Sequence, residues 1–462
     1  MIRSQKIKCE PSSFRDPSGC VYYRGKTVFR QVNRSYKKDF DLLFDSGLYK
    51  ALVQQCHLLP HTRLAKNHST SQSVYATLST DMIPFVSYPY EWTFSQLKDA
   101  ALLTLRIQEI ALQHGMSLKD ASCYNIQFLD GKPILIDLLS FQQYKAGKPW
   151  VAYKQFCQHF LGPLLLMSLV DIRLNQLLRI HLDGIPLDLV SKLLPKRTRL
   201  SFSIASHIHF HANKQQRFAN SQGINRMTRS LSKVALLGIV DNLKTTISKL
   251  LYRKKSTEWG EYYTFTNYSD KAFTQKKKLV EKYIQIAKPK TIWDIGANTG
   301  EFSRIASQQK IFTVAADLDP IAVEKNYLHV KNNQEKNILP LIIDIINPSS
   351  AIGWANTERQ SLIERGPVDL VMALALIHHL AISNNLPFNN IADFCHKIGT
   401  FLIIEFVPKK DSQVKKLLMT REDIFNNYTQ KDFEKSFSKK FKILKKAPVA
   451  GSLRTCYLMK AL

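Results

Sequence analysis

From residue 290 onward, short apolar runs alternate with longer amphipathic stretches. TIWDIG (291–296), FTVAAD (312–317), LPLIID (339–344), VDLVMAL (368–374) and FLIIEF (401–406) predict strands. Helices are predicted from Glu301 and from Pro320. Strands apolar on both faces, with helices between them, predict a parallel sheet covered on both sides. The fold class for 256–462 is therefore α/β, a doubly wound Rossmann-like domain. The first half has a different pattern. Residues 21–33 read as a hairpin around Arg24-Gly25, and 36–57 as a helix with Phe40, Leu43, Phe44, Leu48 and Leu52 on one side. Residues 82–92 are extended and broken by proline. Residues 95–114 form a helix that is apolar nearly all round and closed by Gly115, hence buried. Residues 150–181 predict further long helices. This mixture predicts an α+β domain over 1–255, with a basic helical region at 189–255 and a linker near 250–258.

At 462 residues the chain is too long for one ordinary core, and 45% hydrophobic with 22% charged residues excludes a disordered chain. The longest apolar run, near 160–170, is interrupted by Gly162 and Pro163 and falls short of the ~20 residues that span a bilayer. The first residues, MIRSQKIKCEPSSF, show no apolar signal core. Seven scattered cysteines without a C-x-x-C argue against a disulfide framework or a zinc ribbon and for a reducing, cytoplasmic setting. Lys and Arg total 65 against 37 acids, a formal charge of +28. No acid occurs over 189–240, where Lys196, Arg197 and Arg199 are among the cations. Such a surface attracts anionic partners, whether lipid headgroups, nucleic acid or acidic saccharides; a solvated basic face is the plain alternative. In the same region HIHFHA sets His207, His209 and His211 on one face if it is a strand, a pattern that serves metal binding, phosphate contact or packing.

The first C-terminal strand runs into DIGANTGEFSR. A strand, a glycine turn and a helix start place free N–H groups at the carboxyl edge of the sheet, where ligands of such folds bind. Gly296 permits the tight turn, and Gly300 lets backbone approach a ligand. The D-x-G-x-x-x-G spacing is not the G-x-G-x-x-G of dinucleotide binders. Asp317 ends the second strand, placed to accept ribose hydroxyls, with Asp319 competing for that role; Asp344 ends the third, near an adenine amine. This trio resembles the class I S-adenosylmethionine-dependent methyltransferases over roughly 256–462. The resemblance implies that Asp294, Gly296, Asn298 and Gly300 hold the methionine portion of the cofactor, that Asp317 binds ribose, and that Asp344 and Ile345 border adenine. It also sets LALIHHL (374–380) at the methyl-donor face. His378 and His379 stand there as candidate bases, and Glu405 is a weaker candidate. The aromatic-rich segment 259–284 is the lid over the cofactor in many relatives. No N-P-P-Y or Pro-Cys motif of the nucleic-acid methylating kind appears.

LKDASCYNIQFLDGKPILID (118–137) is a second constellation. Asp130-Gly131 predicts a two-residue hairpin in which Phe128 faces Pro133. Asn125 and Asp137 then emerge side by side at its open end, with Asp120 five residues before Asn125, a set of oxygens suited to magnesium and phosphate. The order resembles protein-kinase-like phosphotransferases, especially sugar kinases. The resemblance implies a kinase-like α+β domain with Asp120 as phosphotransfer base, Asn125 and Asp137 as magnesium ligands, ATP as donor, and YPYEW as the hinge between lobes. No glycine-rich loop precedes residue 90, and Arg30 stands where the family has its lysine.

Together FRDPSG, SYPYEW, LKDASCYNIQF, GKPWVAYKQFC and LALIHHL resemble a bacterial family of large methyltransferase-like proteins related to host-specificity nodulation proteins. The leading expectation is an S-adenosylmethionine-dependent methyltransferase acting on a small-molecule or glycan-type acceptor. A bifunctional or purely phosphotransferase enzyme is the second reading, and a non-enzymatic polyanion-binding scaffold the third.

Overall fold

The structure, a computed structural model, describes residues 9–462 apart from 26, 66–72, 212–230, 253–269 and 420. The chain divides into two compact units: Met1–Arg253 with Gly353–Arg359, and Lys254–Ile352 with Gln360–Leu462. The assignment of Gly353–Arg359 to the first unit has no counterpart in a division at 255/256. The proposed linker at 250–258 and the first part of the lid segment lie largely outside the described residues.

In the first unit, β1 (Gly19–Arg24), β2 (Thr27–Asn33), β3 (Thr62–Arg63) and β4 (Val74–Asp81) form an antiparallel sheet in the order β1-β2-β4-β3. The expected hairpin closes at Gly25, which has φ +60°. The single helix expected over 36–57 is two, Lys37–Asp45 and Leu48–Gln54. Gly47, at φ +77°, breaks it between them, because a left-handed residue cannot carry the helical hydrogen-bond ladder onward. The helix Phe94–Gln113 starts at a reciprocal cap: Gln96 N–H donates to Thr93 Oγ1 at 3.2 Å, and Thr93 N–H to Gln96 Oε1 at 3.0 Å. It is buried along most of its length, as its all-round apolar pattern requires.

Beyond it, β5 (Met116–Leu118) pairs with β8 (Phe141–Gln143), and β6 (Ile126–Leu129) with β7 (Lys132–Leu135). The β6–β7 register sets Phe128 against Pro133, as the Asp-Gly turn predicts; Asp130 and Gly131 both have positive φ, 49° and 71°. The long helices expected over 150–181 are short pieces instead. Pro163 has no N–H for the carbonyl four residues back, and the helix widens into a π turn at Cys157–Leu161 before Gly162–Leu169. Residues 207–211 of HIHFHA are also helical, Phe202–Ile204 continuing into a π turn at Ala205–His209. The strand geometry that would align its three histidines is absent. Cys9 is disulfide-bonded to Cys20, and the other five cysteines are free, so the scattered spacing concealed one bridge.

In the second unit, helix Asp270–Ala287 precedes β9 (Thr291–Ile295), β10 (Phe312–Asp317), β11 (Ile338–Ile342), β12 (Val368–Ala373), β13 (Gly399–Phe406), β14 (Phe441–Pro448) and β15 (Thr455–Ala461). The sheet order is β11-β10-β9-β12-β13-β15-β14. The first five strands are parallel, and β15 runs antiparallel to both its neighbours. This is the doubly wound α/β domain expected, with a closing hairpin that the apolar runs do not announce. β14 lies at the sheet edge and carries Lys442, Lys445 and Lys446, charges that suit an edge and hide the strand from a search for buried runs. The core joins Val280, Tyr283 and Ile284 of the first helix to Ile292, Leu370, Met372, Ile403 and Leu458 of the sheet. No helix among the described residues is long and apolar enough to cross a membrane.

Candidate functional site

β9 lies between β10 and β12, so the strand order reverses beside it and a crevice opens at its carboxyl end. Asp294, near the end of β9, is buried and accepts a hydrogen bond from Ser303 Oγ at 2.6 Å. Burial pushes its carboxyl up to about 7; the Asp317 charge adds to this, while the Ser303 hydroxyl and the Lys276 ammonium oppose it. The chain then turns through Gly296 (φ +77°), Asn298 (φ +50°) and Gly300 (φ +83°). Gly296 and Ala297 donate their N–H groups to Ala316 O at 2.8 and 3.0 Å, tying the loop to β10.

Asp317 ends β10 with both oxygens engaged. Oδ2 accepts Asn298 N–H at 2.7 Å and Oδ1 accepts Asp319 N–H at 2.9 Å. Burial raises its pKa and these donors oppose the rise. Asp319, the expected competitor, caps the helix Pro320–Asn332 through Ile321 N–H at 2.8 Å. Gly300 differs from expectation. A Cβ there would lie 2.6 Å from Asn326 Nδ2 and 2.7 Å from Arg304 Nη1, so the glycine makes room for protein side chains. Arg304 fastens the loop by donating to Thr299 O at 2.5 Å, to Asn326 Oδ1 at 2.9 Å and to Glu335 at 2.9 and 3.0 Å. Asp344 is not a strand end: β11 stops at Ile342, and Asp344 Oδ1 accepts Ile346 N–H at 2.8 Å in the following loop, beside the partly exposed Ile345. Ile343 N–H donates to Asp317 O at 2.9 Å, which holds that loop next to the second-strand acid.

On the other side of β9, β12 ends at Ala373 and Ala375 turns with φ +52°. Its N–H donates to Glu405 Oε2 at 2.7 Å. Lys276 Nζ donates to the same oxygen at 2.7 Å, with both side chains buried. Arg454 Nη1 lies 3.9 Å from it and also pairs with Asp411 at 2.8 and 3.2 Å. His378 is 1% exposed, and its Nδ1 has no hydrogen-bond partner among the described residues. Burial holds it neutral, well below the usual imidazole range, with His379, Arg454 and Lys276 adding to the effect. The His379 ring centroid is 4.1 Å from that of His378. Sequence reasoning missed Lys276 because it sits in a lysine run. The signal was its spacing, four residues after Ala272 and four before Val280, both buried on the inner stripe of the helix.

In the first unit, Asn125 and Asp137 are brought together through Ser140. Asn125 Nδ2 donates to Ser140 Oγ at 3.2 Å, and that hydroxyl donates to Asp137 Oδ2 at 2.6 Å. Arg30 Nη1 reaches Asp137 Oδ1 at 2.5 Å. Asp120 Oδ1 accepts Ser122 N–H at 2.9 Å and Gln155 Nε2 at 2.8 Å. Burial, then the Asp137 charge, raises the Asp120 pKa. The arginine in the lysine position thus ion-pairs with the expected magnesium ligand. Ser140 and Gln155 were not anticipated, for no spacing rule links them to the hairpin.

Two histidines of HIHFHA have neutral partners on both ring nitrogens. His207 lies between Tyr153 Oη and Asn242 Oδ1 at 2.6 and 2.8 Å; His209 lies between Ser191 Oγ and Thr198 Oγ1 at 2.7 and 2.9 Å. They pin helices together. Among the described residues no group of three or more His, Cys, Asp or Glu side chains is placed to hold a metal ion.

No family model matches the chain. It is 34% identical over 452 residues to the nodulation protein NoeA of Rhizobium meliloti (strain 1021), covering 96% of this chain and 94% of that protein. Solved structures with some likeness include the bifunctional kinase-methyltransferase WbdD, at 12% identity and TM-score 0.29 over 42% of this chain and 40% of that one. The N-methyltransferase NodS from Bradyrhizobium japonicum WM9 shares 10% identity at TM-score 0.31, over 42% of this chain and 98% of that one. The magnesium protoporphyrin IX methyltransferase ChlM from Synechocystis PCC 6803 shares 12% identity at TM-score 0.31, over 55% and 96%.

Proposed function

The chain belongs to the family of the nodulation protein NoeA, and from the crevice beside β9 we propose that it is an S-adenosylmethionine-dependent methyltransferase. The observation that carries this reading is the Asp317 carboxylate at the carboxyl end of β10, which holds Asn298 N–H of the glycine loop at 2.7 Å. A second-strand acid locked to a first-strand loop at the point where strand order reverses suits an adenosine ribose. In this reading Asp294, Gly296, Asn298 and Gly300 hold the methionine portion, Asp317 the ribose, and Asp344 and Ile345 the adenine edge. The bound cofactor supplies an electrophilic methyl group on a sulfonium. The protein's part is alignment of an acceptor with that methyl and exclusion of water. His378, held neutral among cations, is a weak base; its partnerless Nδ1 suits hydrogen bonding to an acceptor, and the less buried His379 is the stronger candidate for taking a proton. The acceptor is a small molecule or glycan, with an anionic partner met through 189–240. Calorimetric titration with S-adenosylmethionine and S-adenosylhomocysteine tests the reading, and absence of binding by either removes it.

Affinity should depend on pH through Asp294. A carboxyl held at about 7 must lose its proton before it can pair with the cofactor's cationic amine. Affinity is expected to rise about tenfold per unit between about pH 5 and pH 7 and to level off above. The free protein is expected to follow the opposite trend. Its folded Asp294 binds a proton more tightly than the unfolded group does, so this residue's contribution to stability falls over that range. Titrations across the range, in buffers of differing ionisation heat, report the proton released on binding; a flat profile contradicts this role for Asp294.

A second reading, phosphoryl transfer at the first unit, is favoured by the Asp120, Asn125, Ser140 and Asp137 cluster. Asn125 and Asp137 would hold Mg2+ with ATP, and Asp120 would serve as base, once Arg30 yields an Asp137 oxygen or contacts phosphate. Magnesium-dependent stabilisation by ATP in thermal melts, lost in Asp137→Ala, is the expected result. No shift with nucleotide in the wild type removes this reading.

A further inference from the structure

The pinned histidines leave an exposed face without an assigned role. Thr198, at the centre of the 3-10 turn Lys196–Leu200, is buried; its hydroxyl donates to Pro195 O at 2.7 Å and contacts His209 Nε2 at 2.9 Å. His209 in turn contacts Ser191 Oγ at 2.7 Å, so the turn is fastened to the helix Leu187–Leu193 from beneath. With Thr198 inward, Lys196, Arg197, Arg199 and Leu200 all face outward. Leu200 is 90% exposed, and Phe202, two residues on, is 80% exposed.

Lys196, Arg197 and Arg199 form no ion pair among the described residues. The nearest acid in sequence, Asp188, lies 3.8 Å from Lys192, and no further Asp or Glu occurs before residue 241. Two almost fully exposed large apolar side chains, set on a fixed platform among three cations that form no ion pair among the described residues, differ from the single apolar residues scattered over ordinary surfaces. Cations at the headgroups with an aliphatic and an aromatic side chain below them is the arrangement by which proteins lie on anionic membranes. A nucleic acid would satisfy the cations and could stack on Phe202, but it buries an aliphatic side chain such as Leu200 only by taking it between base steps, whereas a bilayer interface accepts both apolar side chains at once.

We propose that this face, Lys196–Leu200 with Phe202, docks the protein on an anionic lipid bilayer, with Leu200 and Phe202 entering the interface and the three cations lying against headgroup phosphates. The proposal deepens the anionic-partner part of the reading above and is independent of methyl transfer, since vesicle binding and cofactor binding are measured separately. The test is sedimentation of the full-length protein with phosphatidylcholine vesicles, with and without phosphatidylglycerol. The protein should sediment only with the anionic vesicles. Arg197→Glu/Arg199→Glu should weaken partitioning about thirtyfold or more, and Leu200→Ser/Phe202→Ser about tenfold. Because these side chains are exposed, the variants should retain the wild-type circular dichroism and cofactor titration. In Phe202→Trp, the emission in excess of that of the wild type, which carries five tryptophans, should shift to shorter wavelength on vesicle addition. Absence of sedimentation, or an unshifted emission, overturns the proposal. So does Leu200→Ser/Phe202→Ser binding as the wild type does, or binding of single-stranded RNA in place of vesicles.

Discussion

Asp317→Ala is expected to weaken binding of S-adenosylmethionine and S-adenosylhomocysteine by roughly two to four orders of magnitude. The carboxylate has two tasks: it would accept the ribose hydroxyls, and it already holds Asn298 N–H at 2.7 Å and Asp319 N–H at 2.9 Å. Asn298 stands at φ +50°, a conformation costly for a residue with a side chain unless its surroundings hold it there. Alanine would lose the ligand contacts and release the loop together. Hydrogen bonds to a charged group contribute about 1.5–3 kcal/mol each, so loss of two predicts affinity lower by roughly 10² to 10⁴. Asp317→Asn, which keeps one acceptor oxygen, should fall between. Asp319→Ala is the control: it removes a helix cap and should lower stability by about 1 kcal/mol while leaving affinity within a few-fold. Equal affinities in wild type and Asp317→Ala would remove the ribose assignment.

Lys276→Ala should produce the largest loss of stability. It strands Glu405, which is 0% exposed and whose Oε2 receives the Lys276 ammonium at 2.7 Å. Removing one partner of a buried pair leaves an uncompensated charge and typically costs about 3–5 kcal/mol. For a unit of this size that is a fall in Tm of roughly 10 °C. Arg454, 3.9 Å away and committed to Asp411, is too distant to substitute fully. The sign of the pH dependence follows. A buried carboxyl that has lost its lysine has a folded pKa above its unfolded value, so the variant should lose further stability as pH rises through that folded pKa. Lys276→Met/Glu405→Leu should recover part of the loss, since no charge is then stranded, though Ala375 N–H loses its acceptor. Thermal melts of the three proteins at acid and neutral pH check this; a Tm within about 1 °C of wild type for Lys276→Ala would show that the pair is not structural.

The two candidate sites were unequally legible. Asp294 and Asp317 could be read because each lies near or at the end of a run apolar on both faces, and a buried parallel strand permits few other sequences. The β6–β7 hairpin could be read, register included, because Asp130-Gly131 specifies its own turn. Local chemistry also misled. Gly300 read only as an approach to ligand, yet it is also required by packing, since the space a side chain would need is filled by Asn326, 26 residues on, and by Arg304. HIHFHA has strand-like alternation, yet residues 207–211 are helical, with His207 and His209 consumed by Tyr153, Asn242, Ser191 and Thr198.

Periods, turns and strand ends depend on neighbours within a few residues, and so the α/β class, the strand-end acids and the Asn125–Asp137 hairpin follow from the order of residues alone. Partnership between distant side chains does not. Lys276 meets Glu405 across 129 positions and Arg30 meets Asp137 across 107. In both pairs burial, not spacing, turns an ordinary surface charge into a fixed one. Only folding decides which lysine of a run faces inward, which histidine stays neutral, and which cations on the Lys196–Leu200 turn face outward.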